Sequence, residues 1–295
     1  MKWMKGMFLL FAANILIMVT LSLTVPLVIN FVLPLFGIDV RGSVDLSSLV
    51  WALILGFGGA FISLAFSKQM ARAMLDCQQI TQPRSQAEHV IYGAVQEIAQ
   101  RLGITMPEVW IYDSPDPNAF ATGPSKNNSM VAVSTGLLQN LREDEVKAVL
   151  AHEMGHVYNG DMFATTVLAG LMNTFVYYIS MWVRRFFAER DQAALGFGLS
   201  IVLQIVVSVL ASVVISWFSR HREYGADAFS AKVYGKGSMI AALRAIDRWA
   251  SRSQVEYSTQ DALATMKISG KSSGFMHLFA THPPIEERIA ALERL

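Results

Sequence analysis

The chain has 295 residues, 53% of them hydrophobic and only 16% Asp, Glu, Lys or Arg, with a mean hydropathy of +0.38. A soluble domain carries about 25% charged residues, so a uniformly soluble protein is excluded. A net charge of +1 without a basic run excludes a nucleic-acid binder, and a single cysteine, Cys77, excludes both an internal disulfide and a thiolate zinc site.

Four stretches contain no Asp, Glu, Lys, Arg or His: residues 6–38, 46–67, 162–183 and 192–219, which are 33, 22, 22 and 28 residues long. About 20 apolar residues in a helix cross a hydrocarbon core about 30 Å thick. These four apolar segments are therefore predicted membrane helices, and the remainder has the charge density of an ordinary soluble protein. Lys2 and Lys5 before the first segment imitate a signal peptide. A signal core is only about 7–15 residues, so a retained anchor is expected, helical over about residues 7–28. The expected organisation is a transmembrane pair in 1–67, a soluble block 68–161, a second apolar pair in 162–219 and a soluble block 220–295.

Lys2, Lys5, Lys68, Arg72, Arg84, Arg220, Arg222, Lys232 and Lys236 flank the segments on one side, which places both termini and the middle block in the cytoplasm. Arg184, Arg185 and Arg190 between segments three and four disagree. They leave open whether that pair crosses fully or forms a hairpin that does not.

In the soluble blocks, Gln86–Leu102 has helical spacing and ends at Gly103. Glu108–Tyr112 and residues 130–134 read as strands, and 118–122 as a weaker strand. Residues 113–117 and 123–128 read as turns. Glu143–Asn159 is predicted as a helix opened by three acidic residues and closed by Gly160. Residues 235–251 and 284–295 are predicted as further helices.

The helix Glu143–Asn159 carries His152-Glu153-Met154-Gly155-His156. Positions i and i+4 of a helix lie one turn apart on one face, so two imidazoles share a cation and the glutamate between them reaches a water beside it. Chance matches to this pattern are about 0.005 for such a composition. Imidazole with carboxylate suits Zn2+, one per chain. A hydrolytic site needs a third protein ligand, and Glu223 completes a His₂Glu set. Asp227, one turn later, is placed to accept a hydrogen bond from the far nitrogen of a zinc-bound histidine.

These motifs, with Asn118-Ala119-Phe120-Ala121-Thr122-Gly123, the run 131–138, and Thr281-His282-Pro283-Pro284 followed by Arg288, resemble the HtpX family of membrane zinc proteases. That family is related to the CAAX prenyl proteases, and the likeness covers essentially the whole chain. The resemblance implies an α-helical membrane protein with an α+β gluzincin-like zinc protease domain built from 68–161 and 220–295. It implies a multi-pass protein of the bacterial inner membrane whose active site faces the cytoplasm. It also implies His152, His156 and Glu223 on zinc, Glu153 as general base, and misfolded membrane proteins as substrates in stress-related quality control. An extended peptide is expected to add to a sheet edge at Asn118, Ala119, Phe120 and Ala121. His282 and Arg288 either stabilise the oxyanion or serve the turn before the last helix. Two departures stand out: Gly225 where the family often has histidine, and Arg142-Glu143 where it often has Ser-Pro, which loses a helix cap. His89, His221 and His277 have no partner at metal spacing. The rival from another class is a non-catalytic membrane receptor or chaperone with structural zinc, and such a site is normally closed by four protein ligands.

Overall fold

The computed structural model describes residues 46–252 and 281–295, together with Leu35. The first predicted apolar segment, Leu35 apart, and His277 lie outside the described residues. The chain divides into two units, residues 1–62 with 166–212 and residues 63–165 with 213–295.

The first unit holds most of α1 (Leu46–Ala65) and α6 (Asp161–Ala188) and the first part, residues 193–212, of α7 (Ala193–Tyr234). Among the described residues these three helices are long and apolar enough to cross a membrane. Leu49, Ala52, Leu53 and Phe57 of α1 pack on Tyr178, with Val167, Leu171 and Phe175 of α6 around them. In contrast, α7 leaves Val202, Ile205, Val206 and Leu210 exposed. Such a helix in water would be costly, and in hydrocarbon it is at ease.

The second unit holds a four-stranded mixed sheet. Its strands are β1 (Gln78–Gln79), β2 (Glu108–Tyr112), β3 (Ala119–Ser125) and β4 (Asn128–Ser134), in the order β1-β2-β4-β3. The β2–β4 pair is parallel and the other two pairs are antiparallel. β4 is central and covered on both faces, so it alternates within an apolar run instead of between apolar and polar. Val131 and Val133 join the main core with Ile91, Val95 and Ile98 of α3 (Gln86–Leu102) and Val149, Leu150 and Met154 of α5 (Glu143–Asn159). Met130 and Ala132 face the other way, onto Tyr112, Phe120 and Ala71 of α2 (Ser67–Leu75). The remaining helices are α4 (Thr135–Asn140), α8 (Lys236–Arg252) and α9 (Ile285–Glu293).

Several local expectations needed correction. Residues 123–125 belong to β3 and not to a turn, because Ser125 pairs with Asn128 across a tight hairpin. α2 and α4 had no separate signal; α4 is started by the Ser134 hydroxyl accepting from the Leu137 N–H at 3.0 Å. At the start of α5 the Arg142-Glu143 departure does lose the side-chain cap, and what remains is the Arg142 N–H donating to Glu145 Oε2 at 2.8 Å. That is half of a capping box, and arginine has no acceptor to complete it. α7 extends past the apolar stretch that ends at Ser219 and runs for 42 residues to Tyr234, about 63 Å at 1.5 Å per residue. No proline interrupts it.

Candidate active site

α5 is the floor of the site. Glu143, Asp144 and Glu145 in its first turn favour the helix dipole, and Val146, Val149, Leu150, Met154 and Val157 anchor its apolar face. It ends at Gly160, whose φ of 73° is left-handed and lets the N–H close on His156 O and Val157 O. The next residue, Asp161, already opens α6.

One turn apart on α5, His152 and His156 bring their Nε2 atoms to 3.2 Å. Glu223 of α7 completes the convergence: Oε1 lies 3.2 Å from His156 Nε2 and Oε2 lies 3.5 Å from His152 Nε2. The three groups offer ligand atoms within 4.8 Å of one another. Close approach of α5 and α7 is what allows this. Gly155, between the histidines, faces the Ala226 backbone, and a Cβ there would sit 3.3 Å from Ala226 Cα and 3.2 Å from Phe229 Cδ1. The Ser230 hydroxyl also donates to Ala148 O at 2.6 Å across the same pair.

The far side of each imidazole meets a carboxylate. His152 Nδ1 lies 2.9 Å from Asp227 Oδ1, and His156 Nδ1 lies 2.5 Å from Asp161 Oδ2. An N–H held at Nδ1 leaves the Nε2 lone pair for a cation. Arg288 of α9 is fully buried and grips Asp227 with a fork, Nε to Oδ2 at 2.8 Å and Nη2 to Oδ1 at 2.6 Å. Its Nη1 is 3.3 Å from Glu223 Oε2, and His282 Nδ1 is 2.8 Å from the same oxygen. Glu153 is buried beside these groups, only 6% exposed.

Glu223 and Asp227 lie beyond the apolar stretch of α7, which ends at Ser219. Burial works against ionising Glu223, but the charges of His282 and Arg288 and the two histidine bonds hold it well below the usual carboxylate range. Asp227 is likewise opposed by burial and brought down to about 2 by Arg288 and His152. Burial pushes the Glu153 carboxyl up, against the pull of His152 and His156. Burial disfavours a proton on His156, yet Asp161 and Glu223 raise it to about 10. The carboxylates around His152 and His156 thus hold protons on the imidazoles where a metal would replace them.

The donor set suits such a metal. It consists of two imidazoles and a carboxylate, and Glu223 Oε2 is buried with no well-directed hydrogen bond among the described residues. That leaves lone pairs for a cation.

Residues 85–295 match the family model of peptidase family M48. Over 296 residues the chain is 45% identical to Protease HtpX of Idiomarina loihiensis, covering 99% of each chain. The chain belongs to peptidase family M48. Protease HtpX of Tolumonas auensis is also 45% identical, over 302 residues, covering 99% of this chain and all of that one. The fold is shared with the crystal structure of S. mikatae Ste24p, with a TM-score of 0.62 at 18% identity, covering 98% of this chain and 67% of that one. The chain is a membrane protease of the M48 family, and the metallopeptidase class of that family implies a metal.

All the candidate site residues from the M48 stretch lie among the described residues, but they do not all converge. His152, Glu153, His156, Glu223, Asp227, His282 and Arg288 form one cluster. Asn118 stands just before β3, its N–H donating to Ser134 Oγ at 2.9 Å and its Nδ2 to Tyr112 Oη at 2.9 Å. Ala119 and Phe120 are buried, and Ala121 is partly buried. In the sheet β3 is the outer strand, bonded to β4 alone among the described strands. His221 is exposed beside Trp217, and His89 Nδ1 lies 2.8 Å from Ser85 O. Two residues of the cluster escaped sequence reasoning, Asp161 and Arg222. The available signal was a carboxylate five residues after a ligand histidine, directly past a helix-ending glycine.

Proposed function

We propose that this M48 protease is a multi-pass zinc endopeptidase of the bacterial inner membrane, its gluzincin-like site facing the cytoplasm, that hydrolyses misfolded or damaged membrane proteins. The observation that carries the reading is the convergence of His152, His156 and Glu223 around one point, with Glu153 buried beside it. Relatives named Protease HtpX, and the segregation of charge along the chain, support the membrane setting. The first apolar segment would supply the fourth span.

His152, His156 and Glu223 would hold one Zn2+. When bound, the ion supplies Lewis acidity, polarising a carbonyl and acidifying water toward a pKa of about 7. Glu153 takes the proton from the attacking water and passes it to the leaving amine, a task suited to a carboxyl whose proton affinity burial has raised. Asp227 holds the His152 ring with its Nε2 turned inward, and Arg288 holds Asp227. Full burial keeps Arg288 from the substrate, so of the two oxyanion candidates the more exposed His282 is the one able to reach it. The outer edge of β3, last in the order of the described strands, would bind an extended segment by backbone pairing, which suits loosely folded chains because it reads few side chains.

Zinc analysis with cleavage of a loosely folded substrate in detergent tests the reading. Glu153→Gln should keep zinc and lose cleavage, whereas His152→Ala or His156→Ala should lose the metal. Zinc-loaded Glu153→Gln that still cut at the wild-type rate would remove Glu153 from the mechanism.

A further inference from the structure

The contact on the far side of His156 differs from that on His152. Asp161 uses its two carboxylate oxygens on two different partners: Oδ2 meets His156 Nδ1 at 2.5 Å, and Oδ1 pairs with Arg222 Nη2. Arg222 does more than neutralise it. Its Nη1 donates to Asp161 O at 2.7 Å and to Thr165 Oγ1 at 2.8 Å, and its guanidinium lies 5.0 Å from the centre of the Phe218 ring. Both side chains are mostly shielded, at 13% and 14% exposed. One guanidinium therefore holds the carboxylate, a carbonyl and a hydroxyl in the first turn of α6.

The positions of the two residues give this contact its meaning. Asp161 stands two residues beyond the end of α5, across the left-handed turn at Gly160. Arg222 immediately precedes Glu223 on α7. The pair is thus a strap from the His156 side of the site to the residue beside the third carboxylate. Without it, among the described residues only the Glu223 contact, 3.2 Å long, ties the His156 ring to α7.

We propose that Asp161 and Arg222 are positioning residues that act as one unit. Asp161 keeps the hydrogen of His156 on Nδ1 and so leaves Nε2 for the metal; Arg222 holds Asp161 in place and sets the spacing between His156 and Glu223. An ordered histidine–carboxylate contact typically contributes 10–100-fold in metal affinity. Arginine is required for the task because its planar fork meets several acceptors in fixed directions, which a lysine ammonium does not.

The proposal rests on the zinc reading given above. It is tested by zinc affinity, measured by chelator competition on the full-length protein in detergent, with thermal unfolding as a check on folding. Lys147→Ala, at an exposed pair near the start of α5, serves as the control. Asp161→Ala should weaken zinc binding by about 10–100-fold while the control stays at wild type. Asp161→Asn should weaken it less, since its amide oxygen still accepts from Nδ1–H. Arg222→Ala should also weaken it and Arg222→Lys should not restore it, and the double variant Asp161→Ala/Arg222→Ala should be no worse than the poorer single one, as expected of residues that act as a unit. Should an alanine variant fail to fold, the near-isosteric Asp161→Asn and Arg222→Lys carry the decision. Wild-type zinc affinity in both of these folded variants overturns the proposal, as do additive losses in the double variant. A wild-type chain that binds no zinc overturns the zinc reading as well, which separates the two failures.

Discussion

Replacing Arg288 by methionine keeps a long side chain at a fully buried position but removes the cation between Asp227 and Glu223. Asp227 is lowered from 3.8 to about 2. At about 1.4 kcal/mol per pH unit, that corresponds to about 2.5 kcal/mol of folding stability, shared between Arg288 and, in smaller part, His152. Removing one partner of a buried pair costs about 3–5 kcal/mol, because the other charge stays behind. A loss of about 3 kcal/mol is therefore expected. For a domain of this size each kcal/mol moves Tm by about 2–4 °C, so Tm should fall by about 6–12 °C. The assay is thermal unfolding of the full-length protein in detergent with zinc removed by a chelator, so that the metal does not screen the carboxylates. Arg288→Lys should fall between the two, keeping the charge without the fork. The pH dependence has a definite sign. Asp227 is depressed in the folded state, so its contribution is complete above its unfolded value near 3.8 and is lost as the pH falls towards about 2. The gap between wild type and Arg288→Met should narrow in that window. An Arg288→Met protein that melted within about 2 °C of wild type at neutral pH would refute the reasoning.

Zinc affinity should rise with pH, because His156 holds its proton up to about 10 in the metal-free protein and the metal must displace it. About a tenfold gain per pH unit near neutrality, with proton release on loading, is expected from calorimetry in buffers of different ionisation enthalpy; a pH-independent Kd would contradict it. Gly155→Leu should part α5 from α7, costing about 1–3 kcal/mol in stability and weakening zinc binding, and Phe229→Ala should partly restore both. The test is Tm and chelator competition on the single and double variants, and a Gly155→Leu protein with wild-type affinity would show that this spacing does not govern the site. Ser134→Ala should cost about 1–3 kcal/mol, since one buried hydroxyl serves Asn118 N–H, Leu137 N–H and Asp116 O at 2.9, 3.0 and 2.7 Å. A change of less than about 0.5 kcal/mol in unfolding would count against that role.

Much of this was legible along the chain because the deciding interactions are local. Gln86–Leu102 and Glu143–Asn159 have the bounds that their periodicity and their closing glycines imply. Both depend on contacts within a turn or two, and β2 likewise matches its reading. Elements whose identity rests on partners elsewhere were harder to read. Residues 123–125 look like turn chemistry and become strand only because β4 lies beside them. α2 is short, and it is held by Lys68 and Arg72 meeting Glu108 of β2, a pairing some forty residues away.

The same division runs through the site. The sequence by itself determined that His152 and His156 share one face of α5, because residues four apart in a helix lie one turn apart, and that Glu153 sits beside them. It also determined where charge is absent, and hence which segments can lie in hydrocarbon. Glu223 and Asp227 were already candidates from the sequence; the tertiary structure decided how they meet the histidines and added Asp161 to the cluster. Glu223 reaches the histidines because α7 continues past its apolar stretch and packs against the gap left by Gly155. Arg288 looked like a residue for the oxyanion or for a turn; packing buried it against Asp227, where a cation is stabilised only by paired carboxylates. Asp161 carried no motif of its own. Its role appears only when Gly160 turns the chain and Arg222 arrives from 61 residues away, and spacing along a sequence does not encode a meeting of that kind.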